Sequence, residues 1–237
     1  DGTIRVDELL EEASRDKMEA VAITDNGNMF GVLDFYTQAK EHGIKPIIGA
    51  ELYLAPQSRL LKNTTSGDEE IAPYMPSRSG LAHLNLLCVD DEGYHNLCQL
   101  VSVGYLEGFY YKPRIDKEVL QKYAKGLIAT SSCLKGEVNN LCLNGDMDRA
   151  REAAQFYRDI FEGRFYLEMQ SNGLPQQLMV NQRLQELAKD LGIPLLATAD
   201  CHYLKKSDAF SQEVLMAIET GRVLEDTTGS NLRSDEF

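Results

Sequence analysis

The chain has 237 residues, 43% hydrophobic and 26% charged, enough for one large α/β domain or two small ones. Its net charge of −13 argues against a broad nucleic-acid groove within this segment, because so acidic a surface does not attract a phosphate backbone; it suits solubility, or carboxylates gathered around divalent cations. No apolar run reaches the roughly 18 residues of a membrane span. No signal-peptide core opens the chain. The five cysteines Cys88, Cys98, Cys133, Cys142 and Cys201 contain no CxxC pair, which favours a reducing cytoplasm over a disulfide framework.

Asp1-Gly2 is a turn pair with no element before it, and the stretch from Val6, VDELLEEA, has helical period. A short apolar run at 20–24 predicts a buried strand that delivers Asp25. Asn26-Gly27 follows, a dipeptide that tolerates φ > 0 and favours a tight turn. Residues 32–40 return to helical period and close at Gly43, and 46–54 predict a second strand. The stretch 56–80, rich in Ser, Thr, Asn and Pro, predicts a surface excursion. Further strands are expected at 84–89, 127–130, 165–169 and 195–198. Helical patterns at 147–161, 177–191 and 209–220 are closed by Gly163, Gly192 and Gly221. The terminal Ser234-Asp235-Glu236-Phe237 has the form of a helix capping turn, so both ends suggest a piece of something longer. Alternating β and α patterns imply a parallel sheet with crossover helices, hence an α/β fold. Six strands, with a seventh expected before Asp1, suit a closed barrel slightly better than a flat doubly wound sheet. No Gly-x-Gly-x-x-Gly or Walker A pattern follows any strand, so nucleotide-cofactor folds lose their main support.

Four predicted strands finish on a side chain able to bind a metal: Asp25, Glu51, Cys133, and Asp200 with His202 two residues later. The carboxyl edge of a parallel sheet is where sites are built, and alternate residues at a strand end, as in Asp-x-His, can enter one cavity. Each has a plainer reading. Asp25 can cap a helix, Cys133 can be an inert thiol, Glu51 can pair with a lysine, and His202 can hydrogen-bond locally. His83 opens its run instead of ending it, so the rim argument does not reach it. His42 and His95 lie in polar, helix-like stretches and are expected at the surface.

The segments AITDNGNMFG, GIKPIIGAELYLAP, HLNLLC, GFYYKPRID, SSCLKGE and ATADCHYL occur in this order. Together they resemble the PHP (polymerase and histidinol phosphatase) domain family, in the version carried at the N-terminus of bacterial replicative DNA polymerase III alpha subunits. The resemblance covers nearly all of 1–237, and GFYYKPR belongs to the polymerase version rather than to PHP phosphatases at large. It implies a distorted seven-stranded βα (TIM-like) barrel of the PHP type, its first strand preceding Asp1, with polymerase domains beyond residue 237. It also implies a cleft that holds up to three divalent metals, Zn, Mn or Mg. Asp1, Asp25, Glu51, His83, Cys133, Asp200 and His202 match ligand positions. An opening His-x-His would precede Asp1. Asn26 stands where the family has a histidine, and an amide supplies only a weak neutral oxygen, so weakened or partial metal occupancy is expected.

Three functions follow from the resemblance. The first is metal-dependent 3′–5′ proofreading exonuclease activity inside a DNA polymerase, with metals activating water and clamping the phosphodiester. The second is a structural module that stabilises the polymerase and docks the separate proofreading exonuclease subunit beside other replicase subunits. The third is a free-standing PHP phosphatase, which GFYYKPR and the unfinished C-terminus oppose. The implied partners are DNA, through the full polymerase, and the replicase subunits, with no membrane.

Overall fold

The computed structural model describes residues 2–62, 80–221 and 223–224. Asp1, most of the expected excursion at 56–80 and the capping turn at 234–237 lie outside the described residues.

The elements run α1 (Val6–Arg15), β1 (Ala20–Ile23), α2 (Val32–Glu41), β2 (Lys45–Leu54), β3 (Ala82–Cys88), α3 (Asp91–Leu106), β4 (Arg114–Ile115) and α4 (Lys117–Lys122). They continue with β5 (Leu127–Thr130), α5 (Glu137–Asn144), α6 (Met147–Ile160), β6 (Phe165–Gln170), α7 (Pro175–Leu191), β7 (Leu195–Thr198) and α8 (Ala209–Thr220). The six expected strands all form. A two-residue strand, β4, joins them beside β2, so seven strands lie within the described residues.

The sheet order is β1-β2-β3-β5-β6-β7, curled into a half-barrel with helices around it, in keeping with a distorted TIM-like barrel. One expectation is overturned: the sheet is mixed, not parallel. β3 runs antiparallel to both β2 and β5, while β1–β2, β5–β6 and β6–β7 are parallel. The reason is the connection, since residues 55–81 contain no described crossover helix to bring β3 back in the direction of β2.

The core lies between sheet and helices. Leu52, Leu84, Leu86, Ala129 and Leu167 leave the outer sheet face and pack with Leu97, Leu120, Tyr157 and Leu184 of α3, α4, α6 and α7. A smaller cluster joins Leu10 and Ala13 of α1 to Phe35 and Ala39 of α2. Arg114 of the GFYYKPR segment is an internal strut. It is 1% exposed, and its guanidinium donates to the carbonyls of Gly108, Leu61 and Arg59 at 2.8, 3.0 and 2.9 Å. Gly108 cannot be larger, because a Cβ there would stand 1.9 Å from the Arg114 carbonyl oxygen.

Candidate metal centre

The opposite face of the sheet is polar, as the period of two along a strand dictates. On β2, Ala50, Leu52 and Leu54 enter the core, and Glu51 and Tyr53 take the other side. The antiparallel register sets Glu51 opposite Asn85 and Tyr53 opposite His83. Asn85 in turn faces Thr130 of β5. Beyond Thr130 the chain turns through Ser132, whose φ of 59° is a left-handed conformation costly for a non-glycine residue, and presents Cys133. Gly136 closes this turn with its N–H on the Cys133 carbonyl at 2.9 Å.

Three expected ligands therefore meet. His83 Nδ1 lies 2.6 Å from Glu51 Oε1 and 3.9 Å from Cys133 Sγ. The donor atoms of Glu51, His83 and Cys133 all fall within 4.8 Å of one another. The Ser132 hydroxyl donates to the second Glu51 oxygen, Oε2, at 2.9 Å, and the Tyr53 and His83 rings stand T-shaped with centroids 5.2 Å apart. Burial, above all, pushes the Cys133 thiol up to about 12, and the Glu51 and Asp200 carboxylates push it the same way. Such a thiol keeps its proton at neutral pH unless a cation replaces it.

Asp200 and His202 form a second pair, with Nε2 of the histidine 3.6 Å from Oδ1 of the aspartate. Asp200 also has a left-handed φ, 52°. The Thr3 hydroxyl lies 2.9 Å from both the His202 carbonyl oxygen and Gln212 Oε1, which ties the start of the described chain to this loop. Asp25 sits elsewhere on the rim. A Cβ at Gly31, just before α2, would stand 3.3 Å from its Oδ2. The chain at Asp25–Gly27 is stitched to β2 by Glu51 N–H donating to the Asp25 carbonyl at 3.1 Å and Gly27 N–H donating to the Glu51 carbonyl at 2.7 Å. Only Gly27 of the Asn-Gly pair uses positive φ, at 69°. Asn26 makes an isolated bridge to Glu51 through its backbone. Among the described residues, Glu51, His83 and Cys133 are the one such three-ligand group; Asp25, Asp200 and His202 stand outside it. His42 and His95 are exposed.

The family match covers residues 1–172 and is to the PHP domain. This chain belongs to the PHP domain family. Similar curated proteins are DNA polymerase III alpha subunits. That of Borreliella burgdorferi is 40% identical across 100% of this chain and 20% of its own length. Those of Deinococcus radiodurans and Thermus aquaticus are both 42% identical across 100% of this chain, covering 18% and 19% of their own lengths. This PHP chain thus spans about a fifth of the relatives it matches. A solved structure of a candidate metal-dependent phosphoesterase from Bifidobacterium adolescentis has the same fold, with a TM-score of 0.52 at 12% identity over 85% of this chain and 84% of that one.

The donor set fits a divalent cation. A carboxylate oxygen, an imidazole nitrogen and a thiol sulfur converge, a mixture that favours Zn, Mn or Fe over Mg alone. Beside them, Asn85 Oδ1 is buried without a hydrogen-bond partner. Reasoning from sequence passed over the polar residues next to this PHP centre: Asn85, Thr130, Glu168, Gln170 and Thr198. The available signal was polar side chains recurring at alternate positions inside short apolar runs, as in FYLEMQ.

Proposed function

We propose that this chain is the N-terminal PHP domain of a bacterial replicative DNA polymerase III alpha subunit, and that residues 1–237 carry a divalent-metal phosphoesterase site acting as a 3′–5′ proofreading exonuclease. The observation that carries the chemistry is the convergence of Glu51, His83 and Cys133. Identity of about 40% to alpha subunits along the whole chain supports the parentage. Glu51, His83 and Cys133 would hold one cation, with Asp25 and the Asp200–His202 pair extending the site along the rim and Asp1 contributing from the chain start. A bound divalent cation supplies Lewis acidity toward a phosphodiester and toward water. The protein's own part is to set the donors. Ser132 orients Glu51, Tyr53 buttresses the His83 ring, and the half-buried Cys133 thiol stays protonated until a cation arrives. DNA would reach the site through the full polymerase, in the cytoplasm. No helix among the described residues is long and apolar enough to cross a membrane.

The test is 3′ exonuclease activity and metal content of the full-length protein beside its Asp200→Ala variant. Both fall in the variant if the site works. If neither changes, the catalytic reading is wrong.

A second reading, a docking module for the proofreading subunit, is favoured by a separate observation. Phe30, Leu33, Leu106, Phe109 and Tyr111 are all exposed, and Tyr105 links Phe30 to Phe109 with ring centroids 6.1 Å from each. Large exposed apolar surface of this kind marks interaction sites. Phe30→Ala with Phe109→Ala should then weaken partner binding without altering exonuclease activity.

A further inference from the structure

We infer that Glu168 is the positioning residue of the candidate metal centre: its buried carboxylate holds in register the strands that carry His83, Cys133 and the Asp200–His202 pair. The inference rests on the metal reading above.

Glu168 lies on β6, is 3% exposed and gives no donor to the Glu51–His83–Cys133 trio. Four side chains converge on its carboxylate. The Thr130 hydroxyl and Asn85 Nδ2 (3.4 Å) donate to Oε2, and the Thr198 hydroxyl (2.5 Å) and Gln170 Nε2 (3.0 Å) donate to Oε1. None of the four is a cation. Three come from strands that start or end beside the candidate ligands: Asn85 is two residues after His83, Thr130 three before Cys133, and Thr198 two before Asp200.

The main chain of Glu168 continues the tie. Its N–H donates to Ser131 Oγ at 2.8 Å. Asn139 Nδ2 reaches both the Glu168 carbonyl at 3.2 Å and the Ser132 carbonyl at 2.8 Å. Ser132 then donates to Glu51. Thr130-Ser131-Ser132 thus spends three consecutive hydroxyls linking Glu168 to the ligands.

A buried carboxyl group held only by neutral donors is sensitive to their spacing, since a withdrawn donor leaves a buried oxygen without a partner. If scaffold stability alone mattered, an uncharged residue of similar volume would serve as well or better. Placing a carboxylate between the ligand strands makes sense when what it secures is their relative position.

The probe is Co(II) titrated into the full-length, metal-free protein, followed by the thiolate-to-cobalt absorption band. Cys133→Ser must abolish that band, so it reports this site alone. Glu168→Gln is expected to weaken Co(II) binding by about 10–100-fold, with the circular dichroism and melting temperature of the metal-free protein unchanged. Unchanged Co(II) affinity in a folded Glu168→Gln overturns the inference. Absence of any Cys133-dependent band in the wild type overturns the metal reading itself, and this inference with it. Should Glu168→Gln fail to fold, Thr198→Val removes a single donor at nearly constant volume. A weakening of about tenfold supports the inference, and unchanged affinity overturns it.

Discussion

His83 and Cys133 come within 3.9 Å, Nδ1 to Sγ, from adjacent strands that run in opposite directions. A residue that opens an antiparallel strand and one that follows its neighbour arrive at the same edge of the sheet. That is why a histidine at the start of β3 joins a glutamate on β2 and a cysteine after β5, and the His83 N–H donating to the Lys135 carbonyl at 3.1 Å locks the two strand ends together.

Replacing His83 by alanine removes the only nitrogen donor of the trio. Zn(II) affinity should fall by more than about tenfold, read by calorimetric titration of the metal-free protein. The fold should persist, because the outer-face core contains neither His83 nor its neighbours Glu51 and Asn85. Affinity equal to wild type would remove His83 from the ligand set.

Asn26→His supplies an imidazole where an amide now stands, next to a backbone already bridged to Glu51. Metal affinity should rise by about tenfold or more, since imidazole is the better ligand. Equilibrium dialysis against limiting Zn(II) or Mn(II) measures it, and no gain would mean that this turn does not face the centre.

Arg114→Lys keeps the charge but cannot reach three carbonyls with a fixed fork of donors. Orphaned buried carbonyls should cost roughly 2–4 kcal/mol in stability, measured by urea unfolding. Metal affinity should be little altered, because the hydrogen bonds of this strut go to the carbonyls of Gly108, Leu61 and Arg59 and to none of the trio.

Burial pushes the Cys142 thiol up to about 11 from an ordinary value of 9.0, overriding a smaller opposing pull from Arg183. A raised value means the folded state holds its proton more tightly than the unfolded one. Its contribution to stability is therefore complete below pH 9 and is lost as pH rises through about 11. Melting temperatures should drop across that window, and Cys142→Ala should show a smaller drop across it than wild type. Equal drops would refute the assignment.

The apolar runs were enough to locate six strands, and the reading of their ends named Asp25, Glu51, Cys133, Asp200 and His202; Glu51 is the exception, since it lies inside β2, three residues before the strand ends at Leu54. The direction of β3 was not legible, because a connection without periodic pattern does not say which way the chain returns. The α3 helix showed only as a helix-like stretch around His95, because Gly93 and Gly104 interrupt its apolar pattern. Gly93 is there for contact, since a Cβ would stand 1.8 Å from the Gly126 carbonyl oxygen. Asp90 starts that helix by accepting the Gly93 N–H at 2.8 Å. Glu168 was invisible for a different reason. An acidic residue within an apolar run reads as a solvent-facing position until neighbouring strands show that hydroxyls and amides surround it.

The core of this molecule lies outside its sheet, and the concave side holds hydroxyls, amides and carboxylates. Chemistry and scaffold are thereby written on alternate residues of the same strands. A lineage can lose its donors one by one on the inner side while every leucine that holds the domain together stays in place.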